Sequence, residues 1–335
     1  MSQSVMAKEA AQAAEVIAQQ LQHNTSICES LAQTFTEMQP AMVMIIGRGS
    51  SDHAGVFAKY LLEVQVGIPV CAAAPSVSGV FKRTLNLKNT VALVISQSGR
   101  SPDILRQVEM AQQGGAYTVA LVNDEKSPLA EIADAVLPLC AGEEKAVAAT
   151  KSYLATLSAL LQLCAHWTAD GQLTAALQQL PAALLSVVSQ PVEARQLRTE
   201  KLAGVRNAVV LGRGFGYAVG REVALKLKEV LGIHAEAFSS AEFIHGPVTL
   251  VEKQLHVIDL QVQDESLAFH EDIMSDVTAR GAIVQTLKSD NSTLHPRLLP
   301  LLVLQRFYLD IEAIAVEMGL DPDQPPGLNK VTKTV

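Results

Sequence analysis

Four cysteines in 335 residues, Cys28, Cys71, Cys140 and Cys164, form no CxxC pair. Thiols scattered in this way exclude a disulfide framework and suit buried, reduced side chains, so a cytoplasmic setting is expected. Positive charge is also short: 26 Lys and Arg face 34 Asp and Glu, for a formal net charge of −8. That balance argues against nucleic acid or an anionic membrane as the main partner. Apolar runs such as 298–304 are broken by Pro or Arg well before the roughly 20 residues that a membrane span needs. No basic stretch followed by an apolar one opens the chain, so no signal peptide is expected. The eight histidines show no HExxH or paired spacing, and there is no GxxxxGK[ST] run. Neither a metal nor a nucleotide is therefore expected, and no cofactor; His270-Glu271-Asp272 reads as a solvated helix face.

What is present is a core-forming chain, 49% hydrophobic and 18% charged, long enough for one large or two medium domains. Residues 5–38 read as helices, with Ile27, Leu31, Phe35 and Met38 at helical spacing. Short β-rich runs then alternate with helical periods. Val43 to Ile46, Val91 to Ile95, Tyr117 to Val122 and Ala135 to Leu139 read as strands. The helical stretches between them predict a βαβ series, and so a parallel sheet covered on both faces. A long helical stretch follows from about residue 150 to residue 200.

The pattern then restarts. Gly47-Arg48-Gly49 reappears as Gly212-Arg213-Gly214, and the same offset of 165 residues carries Gly55 onto Gly220, Leu62 onto Leu227, and Gly67-Ile68 onto Gly232-Ile233. An ungapped match at these glycines predicts an internal duplication and two similar α/β subdomains. The expected divisions are a helical segment over 1–40, a first subdomain over 41–195, a second over 196–320 and a tail over 321–335. The copies differ at one stretch: Ser96-Gln97-Ser98-Gly99 corresponds to Gln261-Val262-Gln263-Asp264. The second copy lacks the hydroxyl cluster.

That cluster, Ser96 to Ser101, lies where a buried strand meets a helix opened by Pro102. Unpaired N–H groups at a helix start carry partial positive charge and bind phosphate without a lysine. Gly99 permits close approach of backbone to anion, and Ser96, Ser98 and Ser101 add hydroxyl donors. An acidic chain can thus hold an anion with neutral groups. The alternative is a serine-rich turn in which Ser101 serves only as an N-cap. Gly49-Ser50-Ser51-Asp52-His53 closes the preceding strand, and two such turns at neighbouring strand ends can converge on one ligand.

With these stretches the sequence resembles the sugar isomerase (SIS) family of phosphosugar-binding proteins, most nearly the isomerase half of glutamine–fructose-6-phosphate aminotransferases. Further carriers are Val147-Ala148-Ala149-Thr150-Lys151, the run from Ala224 to Glu229, Glu242-Phe243-Ile244-His245-Gly246-Pro247, and the tail from Pro325 to Thr332. The resemblance spans nearly the whole chain and implies two flavodoxin-like subdomains. It implies phosphate donors at Ser96, Gln97, Ser98 and Ser101, and sugar contacts at Ser50, Ser51 and Val147. It also implies a proton-shuttling carboxylate at Glu229, a ring-opening histidine at His245 lent by the other subunit of a homodimer, and an imine-forming lysine at Lys330. Glu144 and Lys226 match polar positions near the site. Asn329 and Arg100 depart from the family pattern, which has Ala and Glu there.

Those roles agree with elementary chemistry. One base serving two adjacent carbons suits a partly desolvated Glu, a histidine suits acid–base work at a ring oxygen, and a lysine in a dry pocket attacks carbonyls. Without the resemblance, Glu229 reads as a solvated helix position, His245 as a turn residue and Lys330 as an exposed tail charge. The family's aminotransferases carry an ammonia-releasing domain ahead of the isomerase half, for which residues 1–40 leave no room. The expected activity is therefore the reverse: a deaminase that converts glucosamine 6-phosphate and water to fructose 6-phosphate and ammonia. Alternatives are a fructosyl-amine 6-phosphate deglycase, an aldose/ketose phosphate isomerase, and a non-catalytic phosphosugar sensor. Such sensors carry a DNA-binding helix-turn-helix, and residues 1–40 contain no basic recognition helix.

Overall fold

The computed structural model describes residues 3–289, 291, 293–328 and 330, without the side chains of 252 and 253. It forms two compact units. The first contains Glu15–Glu144, Lys151–Gln178 and Lys330, and is called the cradle unit below; the second contains residues 3–14, Lys145–Thr150 and Gln179–Leu328, and is called the companion unit.

In the cradle unit the strands are β1 (Met42–Ile46), β2 (Val70–Ala72), β3 (Thr90–Ser96), β4 (Tyr117–Val122) and β5 (Ala135–Pro138). All pairings are parallel and the order is β2-β1-β3-β4-β5. Every residue of β3 is buried, as expected for a central strand covered by helices on both faces. Met44, Ile46, Ala92, Val94, Ala120 and Val122 project to one face of the sheet. There they pack against Ile104, Val108 and Ala111 of the helix Pro102–Gln113. Chain direction across the sheet reverses between β1 and β3, which opens a crevice at the carboxyl ends of those strands.

The companion unit contains β6 (Asn207–Gly212), β7 (His234–Ser239), β8 (His256–Gln261) and β9 (Ile283–Lys288), parallel, in the order β7-β6-β8-β9. Its sheet packs around Val209, Leu211, Phe243, Val257, Met274 and Val277. The 165-residue offset recurs in the elements: the helices Ser50–Gln65 and Pro102–Gln113 start 165 residues before Phe215–Leu231 and Leu267–Ala279. The residue before the first helix of each pair is a glycine with nearly identical dihedrals, φ 54°, ψ −128° at Gly49 and φ 52°, ψ −122° at Gly214. Only glycine reaches that region without cost. The fold is thus two parallel-sheet α/β units built on one plan.

The helical reading of residues 5–38 corresponds to three helices, Val5–Ala11, Ala13–His23 and Thr25–Met38. One reading is corrected. His270 does not lie on a solvated face; it is 1% exposed, and its Nε2 lies 2.7 Å from Oδ1 of the buried Asp259 on β8. On a 3.6-residue period His270, Met274 and Val277 share one stripe, and that stripe faces the core.

Candidate functional site

At the carboxyl ends of β1 and β3 the cradle unit contains a cleft of about 420 Å³, lined by Arg48, Gly49, Ser51, Ile95, Ser96, Gln97, Ser98, Ser101, Ile104 and Lys330. Its form follows from the turn after β3. Gly99 has φ 63°, and a Cβ there would lie 2.2 Å from Ser127 Oγ and 2.6 Å from Ser127 Cβ. No side chain fits. The Gly99 N–H donates to Ser96 Oγ at 3.2 Å, and the Gly99 carbonyl accepts from Leu129 N at 3.1 Å. The turn is therefore locked from both sides before any ligand arrives.

Ser101 occupies the N-cap position of the helix Pro102–Gln113, with Pro102 as its first residue, yet its hydroxyl makes no capping hydrogen bond. A serine serving as a cap spends that oxygen on the helix; Ser101 lines the cleft. Two arginines near the cleft are paired with carboxylates, and of these Arg48 lines it. Arg48 Nε donates to the buried Asp103 Oδ2 at 2.8 Å, and Arg100 pairs with Asp124 at 2.6 Å on the exposed side of the turn. The Arg100 hydrogen bond, foremost, holds the Asp124 carboxyl below its usual range. Sequence reading singled out neither Arg48 nor Asp103, although Gly47-Arg48-Gly49 was in view as a repeat.

Lys330 reaches the same cleft, and its Nζ donates to Glu144 Oε2 at 3.0 Å. Glu144 is 6% exposed and also accepts from Ser152 N at 3.2 Å and Ser152 Oγ at 2.6 Å. A buried carboxylate needs such a set of donors, and its place at the start of the helix Lys151–Trp167 adds a favourable dipole. The structure thus brings Ser51, Ser96, Gln97, Ser98, Ser101 and Lys330 into one cleft, with Glu144 joined to it through Lys330. Ser50 opens the helix Ser50–Gln65 but does not line the cleft. Asn329 lies outside the described residues.

The remaining predicted residues belong to the companion unit. On the helix Phe215–Leu231, Lys226 is 1% exposed and lies between two carboxylates: Glu222 Oε1 at 3.0 Å and Glu229 Oε2 at 2.6 Å. Burial by itself would lower the Lys226 pKa, but the two carboxylates outweigh it and hold the ammonium above the usual lysine range. Glu222 was missed at the sequence level. Its spacing was a signal, since Glu222, Lys226 and Glu229 at i, i+4 and i+7 share one helix face. Glu229, with a fifth of its side chain exposed, is the part of this cluster open to a ligand. His245 sits on an exposed turn, its backbone N–H bonded to Glu242 O at 3.0 Å. Val147 is half-buried, and its N–H donates to Asp323 O at 3.1 Å.

Where the first copy carries Gly99 and Arg100, the second carries Asp264 and Glu265. Asp264 Oδ1 is taken up by Ser266 N and Oγ at 2.8 and 2.6 Å, and Glu265 forms a two-pronged pair with the buried Arg297 at 2.7 and 2.8 Å. The second turn is satisfied internally and presents carboxylates, the wrong sign for a phosphate. Among the described residues no group of three or more His, Cys, Asp or Glu is placed to hold a metal ion, and no helix is long and apolar enough to cross a membrane.

A model of the SIS domain matches residues 38–165 and 201–294. The isomerizing glutamine–fructose-6-phosphate aminotransferase of Thermotoga maritima is 32% identical over 311 residues, covering 86% of this chain and 51% of its own length. The chain thus spans about half the length of the curated relatives it matches. Among solved structures, a protein of Silicibacter pomeroyi DSS-3, provisionally assigned as a phosphosugar isomerase, shares 34% identity and a TM-score of 0.88, with 96% of this chain and 100% of the other covered. A glucosamine-6-phosphate deaminase of Thermotoga maritima shares the fold at a TM-score of 0.78 and 21% identity, covering 99% and 100%.

Proposed function

This chain belongs to the SIS family, and we propose that it is a phosphosugar deaminase acting on glucosamine 6-phosphate. The observation that carries the reading is the cleft at β1 and β3. There a glycine turn, four serines and a glutamine surround a space of about 420 Å³, with a lysine amine at its edge. Its donors at Ser96, Gln97, Ser98 and Ser101 suit the phosphate ester and Ser51 suits the sugar; further sugar contacts are assigned to Ser50 and Val147, which do not line the cleft. A homodimer in which His245 is lent across the interface completes the site, and an exposed His245 is compatible with that role.

The chemistry balances with water as the only further reactant. His245 assists ring opening to the C1 aldehyde. Glu229 takes the C2 proton and returns it to C1 while one proton of the C2 amine passes to O1, so that the aldehyde becomes a hydroxymethyl group and the amine becomes an imine. Water adds to the imine carbon and ammonia leaves, giving fructose 6-phosphate. Lys226 orients the Glu229 carboxylate through their 2.6 Å contact. Lys330 supplies an amine able to exchange with the C2 imine once it leaves Glu144 and gives up its proton. Support for an amino sugar comes from the named aminotransferase relative and from the deaminase of like fold.

The test is ammonia release across hexosamine 6-phosphates and fructosyl-amine 6-phosphates, with solvent exchange of the C2 proton followed alongside. Wild type is expected to release ammonia from glucosamine 6-phosphate. Glu229→Gln is expected to keep phosphosugar binding while losing C2 exchange by roughly 10²-fold or more. Release only from fructosyl amines would transfer the activity to deglycation, and unchanged turnover in Glu229→Gln would remove that residue from the mechanism.

A further inference from the structure

The two partners of the Lys330–Glu144 ion pair lie 186 residues apart. Both chain segments that lead to them are pinned in the companion unit to one short helix, Val5–Ala11. Immediately after Glu144, the Lys145 and Ala146 N–H groups donate to Glu9 Oε1 and Oε2 at 2.5 and 3.1 Å. The next amide, Val147 N–H, donates to Asp323 O at 3.1 Å. Asp323 stands seven residues before Lys330, and its carboxylate accepts from Val5 N and Met6 N at 2.8 and 2.7 Å. Three successive amides of the 145–147 loop are thus spent on one clamp, and that clamp also fixes the turn from which the tail departs.

Packing alone does not account for this. Glu9 is 5% exposed, and a buried carboxylate is costly unless its oxygens are occupied. Here both oxygens hold loop amides. Asp323 offers a negative charge to the positive end of the helix, a favourable placement. The helix is itself tied down: Ser4 Oγ donates to Glu312 at 2.6 Å, and Gln305 Nε2 donates to Ala10 O at 3.1 Å. The clamp therefore has a fixed base.

We propose that Glu9 and Asp323 are positioning residues that hold the 145–147 loop and the tail turn in register, so that the Lys330 amine is delivered to the cleft. The role rests on the reading of Lys330 given above. Two readouts separate the proposals. Borohydride trapping of a fructose 6-phosphate imine, with Lys330→Ala as the blank, reports delivery of the amine. Amide exchange at Val5, Met6, Lys145, Ala146 and Val147 reports the clamp without reference to activity.

Asp323→Ala and Glu9→Gln are expected to speed amide exchange at their own partners at least tenfold and to lower trapping and kcat about tenfold. Fructose 6-phosphate affinity should fall less than trapping does, since the phosphate donors at 96–101 lie outside the clamp and Val147 alone of the assigned contacts lies within it. Asp323→Asn, which keeps one acceptor oxygen, should recover part of the trapping. Lys8→Ala, at an exposed position of the same helix, serves as a control with little effect on trapping. A trapping wild type beside unchanged trapping in Asp323→Ala and Glu9→Gln would overturn the clamp alone. Accelerated exchange in the variants beside a wild type that traps nothing would overturn the Lys330 reading, and with it the function claimed for the clamp.

Discussion

At the scale of single residues, Gly99 is the most constrained position in the cleft. A side chain there must adopt a left-handed backbone, at about 1–2 kcal/mol, and must also displace Ser127, whose Oγ would lie 2.2 Å away. Gly99→Ala is expected to destabilise the protein by about 2–4 kcal/mol and to abolish the thermal shift produced by fructose 6-phosphate, both read from melting curves. Glu265 gives a pH signature. Its two hydrogen bonds from Arg297 hold its carboxyl at about 2 instead of 4.5. A carboxyl depressed by folding stabilises above its unfolded value, and that contribution is lost as pH falls through the window from 4.5 to about 2. Replacing the group by Glu265→Gln should flatten the pH dependence of Tm within that window and leave the slope above pH 5 unchanged. At this scale the hydroxyl cluster was legible, because a serine-rich turn after an apolar run is a local pattern. Asp103 under Arg48 and Ser127 under Gly99 were not, since each contact joins segments distant in sequence.

At the scale of elements, the helix Phe215–Leu231 carries the cost of its own chemistry. Glu222 and Lys226 are almost wholly buried and Glu229 is partly so. Removing the lysine takes from the buried Glu222 its ammonium counter-charge at 3.0 Å. Lys226→Ala should therefore destabilise by about 3–5 kcal/mol, and Glu222→Ala together with Lys226→Ala by less than the sum of the two, measured by urea unfolding. The raised Lys226 pKa has the opposite sense to a depressed carboxyl. Its contribution is whole below the ordinary lysine value of 10.5 and disappears only as pH rises through the higher folded value. Strands β1, β3, β4 and β5 were readable as apolar runs, because a parallel strand covered on both faces leaves little room for polar residues. The burial of His270 was hidden by its acidic neighbours, which occupy the other side of the same helix.

At the scale of the whole molecule, the repeat of 165 residues was visible from glycines alone, because turns that need a missing side chain change slowly in spacing. The Lys330–Glu144 pair was not visible, since 186 residues separate its members and nothing local marks either. The proposed sharing of His245 gives a test of assembly. Co-expressing Glu229→Gln with His245→Ala should yield hybrid dimers in which one site of two is intact, and so recover about a quarter of wild-type turnover on random pairing. No recovery in purified hybrids would require each subunit to complete its own site.

The matching turns at Gly49 and Gly214 bear on any attempt at transplantation. Those two turns enter their helices alike, but the loops at 96–101 and 261–266 do not: Ser101 is extended at ψ 121° where Ser266 is helical at ψ −12°, and Gly99 has φ 63° where Asp264 is not left-handed, so a serine-bearing loop grafted there must bring its own backbone. The graft would also remove Glu265 and take its carboxylate from the guanidinium of Arg297, which is 5% exposed and stacked over Phe215. A neutral replacement at 297 should accompany it, so that no buried cation loses its counter-charge.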